Sequence, residues 1–174
     1  MKNVATTKKC AECGLYCYFA KEQICLAPYF SKREAKLVDK KKLKKTSANF
    51  FQAKVVKSIK KKGFFVCPFL DEVKYRCLIY KKRPIDCVIW PFIIGWDKEK
   101  QDVYLWIANS SVCPAVGNRK VRIFNVIDRI VSYLKKKESF EEIKNGERYL
   151  WPYKNYQIKL KNLTKCFLRN PFLD

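Results

Sequence analysis

Residues 67–92 read CPFLDEVKYRCLIYKKRPIDCVIWPF, with Cys67, Cys77 and Cys87 ten positions apart and each on or beside an apolar run. Taken singly, a buried cysteine is more often a small hydrophobe than a ligand. A second group upstream shifts that balance: residues 8–19, KKCAECGLYCYF, place three sulfurs within eight positions. Cys10 and Cys13 have the CxxC spacing that lets two sulfurs face one ion, because the turn between them can aim its amides at the thiolates. Gly14 lets the chain bend sharply there, and Cys17 brings back a third sulfur. Three ligands close neither a structural zinc site nor a cubane cluster, which take four. The early trio therefore needs a distant partner, and Cys67, Cys77 and Cys87 are the candidates.

The chain has nine cysteines and no histidine. In a reducing cytosol such a cluster means metal or redox chemistry more often than disulfides, and an odd count fits a closed disulfide framework poorly. Thiolate-only coordination selects zinc, iron–sulfur or copper(I) and excludes hard-ligand sites. One zinc site would leave two or three sulfurs over, and one four-iron cluster has the same surplus. A second site would require Cys113 plus Cys25 or Cys166, and such a surplus suits clusters better, which sets an iron–sulfur cluster of the 4Fe-4S kind ahead of zinc. Cys67-Pro68 and Cys113-Pro114 echo the Cys-Pro of bacterial ferredoxins, without the surrounding spacing. The CxxxCxxC spacing of radical-SAM enzymes is absent.

These residues carry a resemblance. CAECGLYC, FSKREAKLV, CPFL, CLIYKKRPIDC and WPF occur in the order seen in the CxxCxxxCC family of zinc- or iron-chelating proteins, over roughly residues 9–117. CLIYKKRPIDC is the most specific piece, and CPAVG at Cys113–Gly117 is similar to a further element of some members. The resemblance implies Cys10, Cys13, Cys17, Cys67, Cys77 and Cys87 as metal ligands, with Cys113 as a seventh. One departure stands out: the family's adjacent cysteine pair is reduced here, with Tyr16 in its first place and Cys17 in its second. Cys25 and Cys166 match no element. The resemblance extends to the cysteine region of flagellin lysine-N-methylases, but the chain shows no glycine-rich cofactor loop and no histidine base. Catalysis is left open.

Within RPIDC, Arg83 has a planar five-donor fork suited to a cluster sulfur, an anionic substrate or a purely structural partner. Pro84 starts a turn or short helix ahead of Cys87. Asp86 reads as a cap or ion-pair partner rather than a catalyst.

The net charge is +22. Such a field favours RNA, DNA or an acidic protein, although solvated lysine faces would look the same in sequence. The candidate anion-binding residues are Lys40, Lys41, Lys42, Lys44, Lys45, Lys60, Lys61, Lys62, Arg119, Lys120 and Arg122. Phe50, Phe51, Phe64, Tyr80, Phe124 and Tyr133 lie among them and are candidates to stack on unpaired bases. A protein partner is unspecified.

Hydrophobic content of 48% argues for a folded chain. The longest apolar stretch, Cys87–Trp96, is too short to span a bilayer and contains a proline. No secretory signal is visible at the start, so a cytoplasmic location is expected.

The fold expectation is a small α+β domain built around the cysteine site. It covers 1–174 as one domain, with 9–117 the cysteine region and 118–174 a helix and C-terminal strand. Ser31 and Glu34 have capping-box spacing, predicting a helix through SKREAKLVDKKKLKK. Residues 50–66 read either as a strand pair turning at Lys62-Gly63 or as a helix ending there. YRCLIY reads as a β-prone run. VIWPFIIGW and DVYLWIA flank DKEKQ as a hairpin, with Pro91 confined to an edge or bulge. VRIFNVIDRIVSYLKKK has the strongest helical period, SFEEIKNG a short helix, and YQIKLK the alternation of a strand.

Overall fold

The computed structural model describes residues 15–97, 102–108, 123–137 and 157–162. The chain forms two packed units, Ala5–Trp90 and Pro91–Asp174, the latter including Met1–Val4. Short antiparallel strands and few helices make it α+β, with no closed barrel among the described residues.

The first unit contains strands β1 (Tyr18–Phe19), β2 (Tyr29–Ser31), β3 (Leu43–Lys45), β4 (Phe50–Ala53), β5 (Val56–Lys57), β6 (Phe65–Val66), β7 (Leu70–Asp71) and β8 (Arg76–Cys77). Its helices are α1 (Lys32–Ala35) and α2 (Ile85–Ile89). The strands pair in the orders β2-β4-β3, β1-β6-β5 and β7-β8. Phe19, Phe30, Leu43, Ala53, Cys67 and Phe69 belong to one buried cluster, against which Cys17 packs. Inside it the Phe30 and Phe69 rings stand 5.8 Å apart in a tilted contact.

The capping box at Ser31 forms as expected: its Oγ accepts the Glu34 amide, and Glu34 returns to the Ser31 amide at 2.8 Å. The helix, however, is a single turn rather than running on through Lys45. The Asp39 carboxylate accepts the Lys41 amide and opens a separate 3-10 turn over Lys40–Lys42. Leu43 then enters β3 opposite Ala53 and is buried there. A long-range strand partner for the backbone outweighs local helix propensity, which is a weak prior worth tenths of a kcal/mol per residue.

Gln52 is only 2% exposed. Its Nε2 donates to the carbonyls of Cys25 and Ala27 at 2.8 and 3.1 Å. The buried amide thereby satisfies carbonyls at the end of the 3-10 helix Lys21–Leu26, which would otherwise lack partners.

Residues 50–66 are strands, not a helix, and β5 and β6 pair across a turn that contains Gly63 at φ +84°. This left-handed angle is open to glycine without a Cβ penalty. YRCLIY is strand only at β8, and a 3-10 turn follows at Tyr80–Lys82. Val88 and Ile89, expected at the start of a strand, are helical within α2.

The second unit contains β9 (Phe92–Asp97), β10 (Asp102–Ala108), α3 (Ile123–Lys137) and β11 (Gln157–Asn162). The expected hairpin is present, with Asp97 opposite Asp102, and β11 adds antiparallel to the other side of β10. Val103, Leu105 and Ile107 alternate as the buried face of β10. On α3, Ile127, Ile130, Val131 and Leu134 are buried while Asp128, Arg129, Ser132 and Lys135 face solvent, the helical period read from the sequence. The SFEEIKNG segment lies outside the described residues.

Candidate metal centre

Short pieces of backbone bring the sulfurs together within the first unit. A 3-10 turn at Leu15–Cys17 runs directly into β1. The β1–β6 register, Tyr18 opposite Val66 and Phe19 opposite Phe65, continues so that Cys17 faces Cys67. The Cys67 amide donates to the Cys17 carbonyl at 2.9 Å. After Cys67 the chain turns, with the Leu70 amide donating to the Cys67 carbonyl, and in the β7–β8 pair Leu70 lies opposite Cys77. Two residues thus separate Cys67 in sequence from the partner of Cys77. Cys87 sits mid-way along α2, its amide donating to the Pro84 carbonyl at 3.0 Å.

Two carboxylates fasten α2 to the rest of the unit. Glu34 Oε1 accepts the Ile85 amide at 2.8 Å, and Asp86 Oδ2 accepts the Tyr29 amide at 3.1 Å. Asp86 is therefore a backbone partner across the fold.

Burial pushes the Cys87 thiol well above its ordinary pKa, and the charges of Cys67, Cys17, Asp86 and Cys77 push it further. Burial pushes Cys67 up to about 12, and Cys77 adds to this, whereas the Phe69 N–H at the sulfur and the Lys42 charge oppose it. Cys77 is raised by burial and lowered by the Ile79 N–H and by Arg83. The amide two residues on, Phe69 after Cys67 and Ile79 after Cys77, lowers each thiol against its burial. Such donors favour the thiolate, the form that ligates metal.

None of the five described cysteines is in a disulfide. Cys17, Cys67 and Cys77 each lie within range of Cys87 for their charges to act on it, and Cys77 within range of Cys67. Even so, among the described residues no three cysteine, aspartate or glutamate side chains are gathered closely enough to grip one ion. Cys10, Cys13, Cys113 and Cys166 lie outside the described residues. Cys25 is exposed, with its Sγ donating to the Glu22 carbonyl. Thiols are the donor type that suits a soft metal.

Tyr16 occupies the position of the missing cysteine. Its ring stacks on Trp90 at 4.1 Å between centroids. Burial raises its phenol, and the charges of Cys87, Asp86, Cys17 and Cys67 raise it further, which places it beside the same sulfurs.

The CxxCxxCC model, a putative zinc- or iron-chelating domain, matches residues 9–114. The chain belongs to the CxxCxxCC family. No curated protein and no solved structure matches it. In this CxxCxxCC domain the match spans both cysteine groups, including Cys17, Cys67, Cys77 and Cys87 of the first unit.

The basic residues have mixed fates. Lys42 Nζ donates to the Pro68 carbonyl at 3.1 Å and lies 5.5 Å from the Phe69 ring centroid, at the Cys67 turn. Lys61 lies over the Tyr18 ring at 4.2 Å. Lys40, Lys41, Lys44, Lys45, Lys60 and Lys62 are exposed, and Arg119, Lys120 and Arg122 fall outside the described residues. Arg83 donates from Nε to the Tyr80 carbonyl at 2.9 Å and stacks on the Tyr80 ring at 3.8 Å. Among the aromatic candidates, Phe50 is buried and Phe51 packs on the core, whereas Phe64 and Tyr80 are exposed.

Sequence reading missed three features of the site. The second bond of Glu34, the approach of Lys42 to Cys67 and the Tyr16–Trp90 stack all join residues distant in sequence. Only Tyr16 left a local signal, as the departure from the paired-cysteine motif.

Proposed function

We propose that this CxxCxxCC domain holds an iron–sulfur cluster through cysteine thiolates, with Cys17, Cys67, Cys77 and Cys87 as described donors and Cys10 and Cys13 completing the set. The observation that supports it is that Cys17, Cys67 and Cys77 all lie close enough to Cys87 for their charges to raise its thiol, within one unit of the fold. Each thiolate raises the cost of forming the next, so the four together favour a bound cation that offsets their charge. One zinc and one 4Fe-4S cluster each take four of the six sulfurs, so iron–sulfur is preferred only as the better home for a surplus of thiolates, and metal analysis decides between the two. When bound, a cluster supplies either a one-electron redox centre or a fixed cross-link for the fold.

The chain's own contribution is positional. β1 and β6 set Cys17 beside Cys67, the β7–β8 turn presents Cys77, and Glu34 and Asp86 fix the helix that carries Cys87. The net charge of +22 is read as favouring an anionic partner.

Anaerobic purification followed by iron, acid-labile sulfide and zinc analysis tests the assignment. Brown protein with iron and sulfide in matched amounts is expected. Colourless protein with stoichiometric zinc would move the reading to a zinc scaffold, and metal-free folded protein would end it.

A further inference from the structure

Two hairpin turns of the first unit are fastened side by side. Glu72, at the end of β7, is a buried carboxylate that accepts the Ser58 hydroxyl and, at 3.0 Å, the Ile59 amide of the β5–β6 turn. Ser58 Oγ in turn accepts the amides of Lys60 and Lys61. The neighbouring turn is shaped by Asp71, whose Oδ1 accepts the Val73 and Lys74 amides, and by Tyr75 at φ +47°. The two tips are therefore one ordered feature.

What they display is unusual for a water-facing surface. Ile59 is 78% exposed and Val73 66%, and they flank the same Glu72 carboxylate; Tyr75 and Phe64 beside them are 44% and 42% exposed. From Lys57 to Arg83 the sequence carries nine cations against two carboxylates. Both carboxylates are turned onto backbone amides, so the cations dominate the field around the tips.

We propose that the paired tips attach the protein to an anionic lipid bilayer, with Ile59 and Val73 entering the headgroup region and Lys60, Lys62 and Lys74 meeting lipid phosphates. Aliphatic tips ringed by lysines match the two terms of interfacial binding, apolar insertion and attraction to anionic headgroups. Single-stranded RNA fits less well. It binds by stacking on planar rings, yet the two most exposed side chains have no π face, and the Tyr80 ring already carries the Arg83 guanidinium. This attachment concerns one surface only; no described helix is long and apolar enough to cross a membrane.

The test is co-sedimentation of the full chain, at determined metal content, with vesicles of phosphatidylcholine alone or mixed with phosphatidylglycerol. Binding is expected only to the mixed vesicles and should weaken with salt. The double substitution Ile59→Ser and Val73→Ser, which leaves net charge unchanged and touches no buried side chain, should weaken vesicle binding about tenfold or more. Far-UV circular dichroism and metal content confirm that the variant is folded. Equal vesicle binding by variant and wild type would overturn the proposal, as would no binding to either vesicle. Tighter binding to a single-stranded RNA oligonucleotide, lost in the same variant, would reassign the tips to RNA.

Discussion

The Glu34 carboxylate reaches the Ile85 amide at 2.8 Å with one oxygen while the other accepts the Ser31 amide at 2.8 Å. One side chain thereby caps its own helix and anchors, fifty-one residues later, the start of the helix that carries Cys87. A carboxylate fifty-three residues before Cys87 thus bears on where that sulfur stands.

Replacing Glu34 by alanine should therefore do two things. Losing the cap and leaving a part-buried amide without its acceptor should cost about 2 kcal/mol in urea unfolding. It should also weaken metal retention against a chelator. Glu34→Gln, which keeps an acceptor oxygen but not the charge, should fall between. Full retention of metal in a folded Glu34→Ala protein would show that α2 is placed by other contacts.

Serine at each cysteine should sort ligands from bystanders. Substitution of Cys17, Cys67, Cys77 or Cys87 should lower bound metal sharply and lower thermal stability with it, because metal-binding free energy at such sites is also folding free energy. Cys25→Ser should change neither, since that thiol faces solvent. Elemental analysis of the purified variants reads out the difference. Metal loss on Cys25→Ser, or retention throughout the other four, would contradict the geometry.

The parts of this fold legible in sequence are those fixed by neighbours. The Ser31–Glu34 box, the turn through Gly63, the Asp97–Asp102 hairpin and the periodic helix from Ile123 each depend on residues a few positions apart. The site is different, because β1 and β6 are two residues long and leave no periodic signature. Their pairing nonetheless sets Cys17 against Cys67. The helix expected to continue through Lys45 failed for the same reason, a strand partner at Ala53 that no local pattern announces. Charge was legible as a total but not by destination: Lys42 looked like its neighbours yet turns to the Pro68 carbonyl.

The second unit offers a separate check on packing. A Cβ at Gly95 would lie 2.6 Å from Trp106 Nε1 and 2.9 Å from its Cδ1. Trp106 sits on β10, opposite Ile93 of β9, so the indole crosses the strand where the glycine leaves room. Gly95→Ala should destabilise the unit by about 1–3 kcal/mol, the range for overpacking a filled site. Thermal unfolding followed by near-UV circular dichroism of the tryptophans would register it. An unchanged midpoint would mean that the indole moves aside freely.

Glu72 sets the sign of an acid transition. Burial alone would raise its pKa, but hydrogen bonds from the Ser58 hydroxyl and the Ile59 amide outweigh burial and hold it below the usual carboxylate value. A carboxylate lowered in the folded state contributes stability that is present above its unfolded pKa of about 4.3 and is lost as pH falls through the folded value. The difference in urea stability between wild type and Glu72→Gln should therefore be largest near neutrality and shrink below about pH 4.5. Comparing the two proteins at each pH and matched metal content cancels acid effects that they share. A difference that stays constant from neutral to acid pH would show that the Glu72 charge does not hold the two hairpin tips together, leaving shape alone to do so.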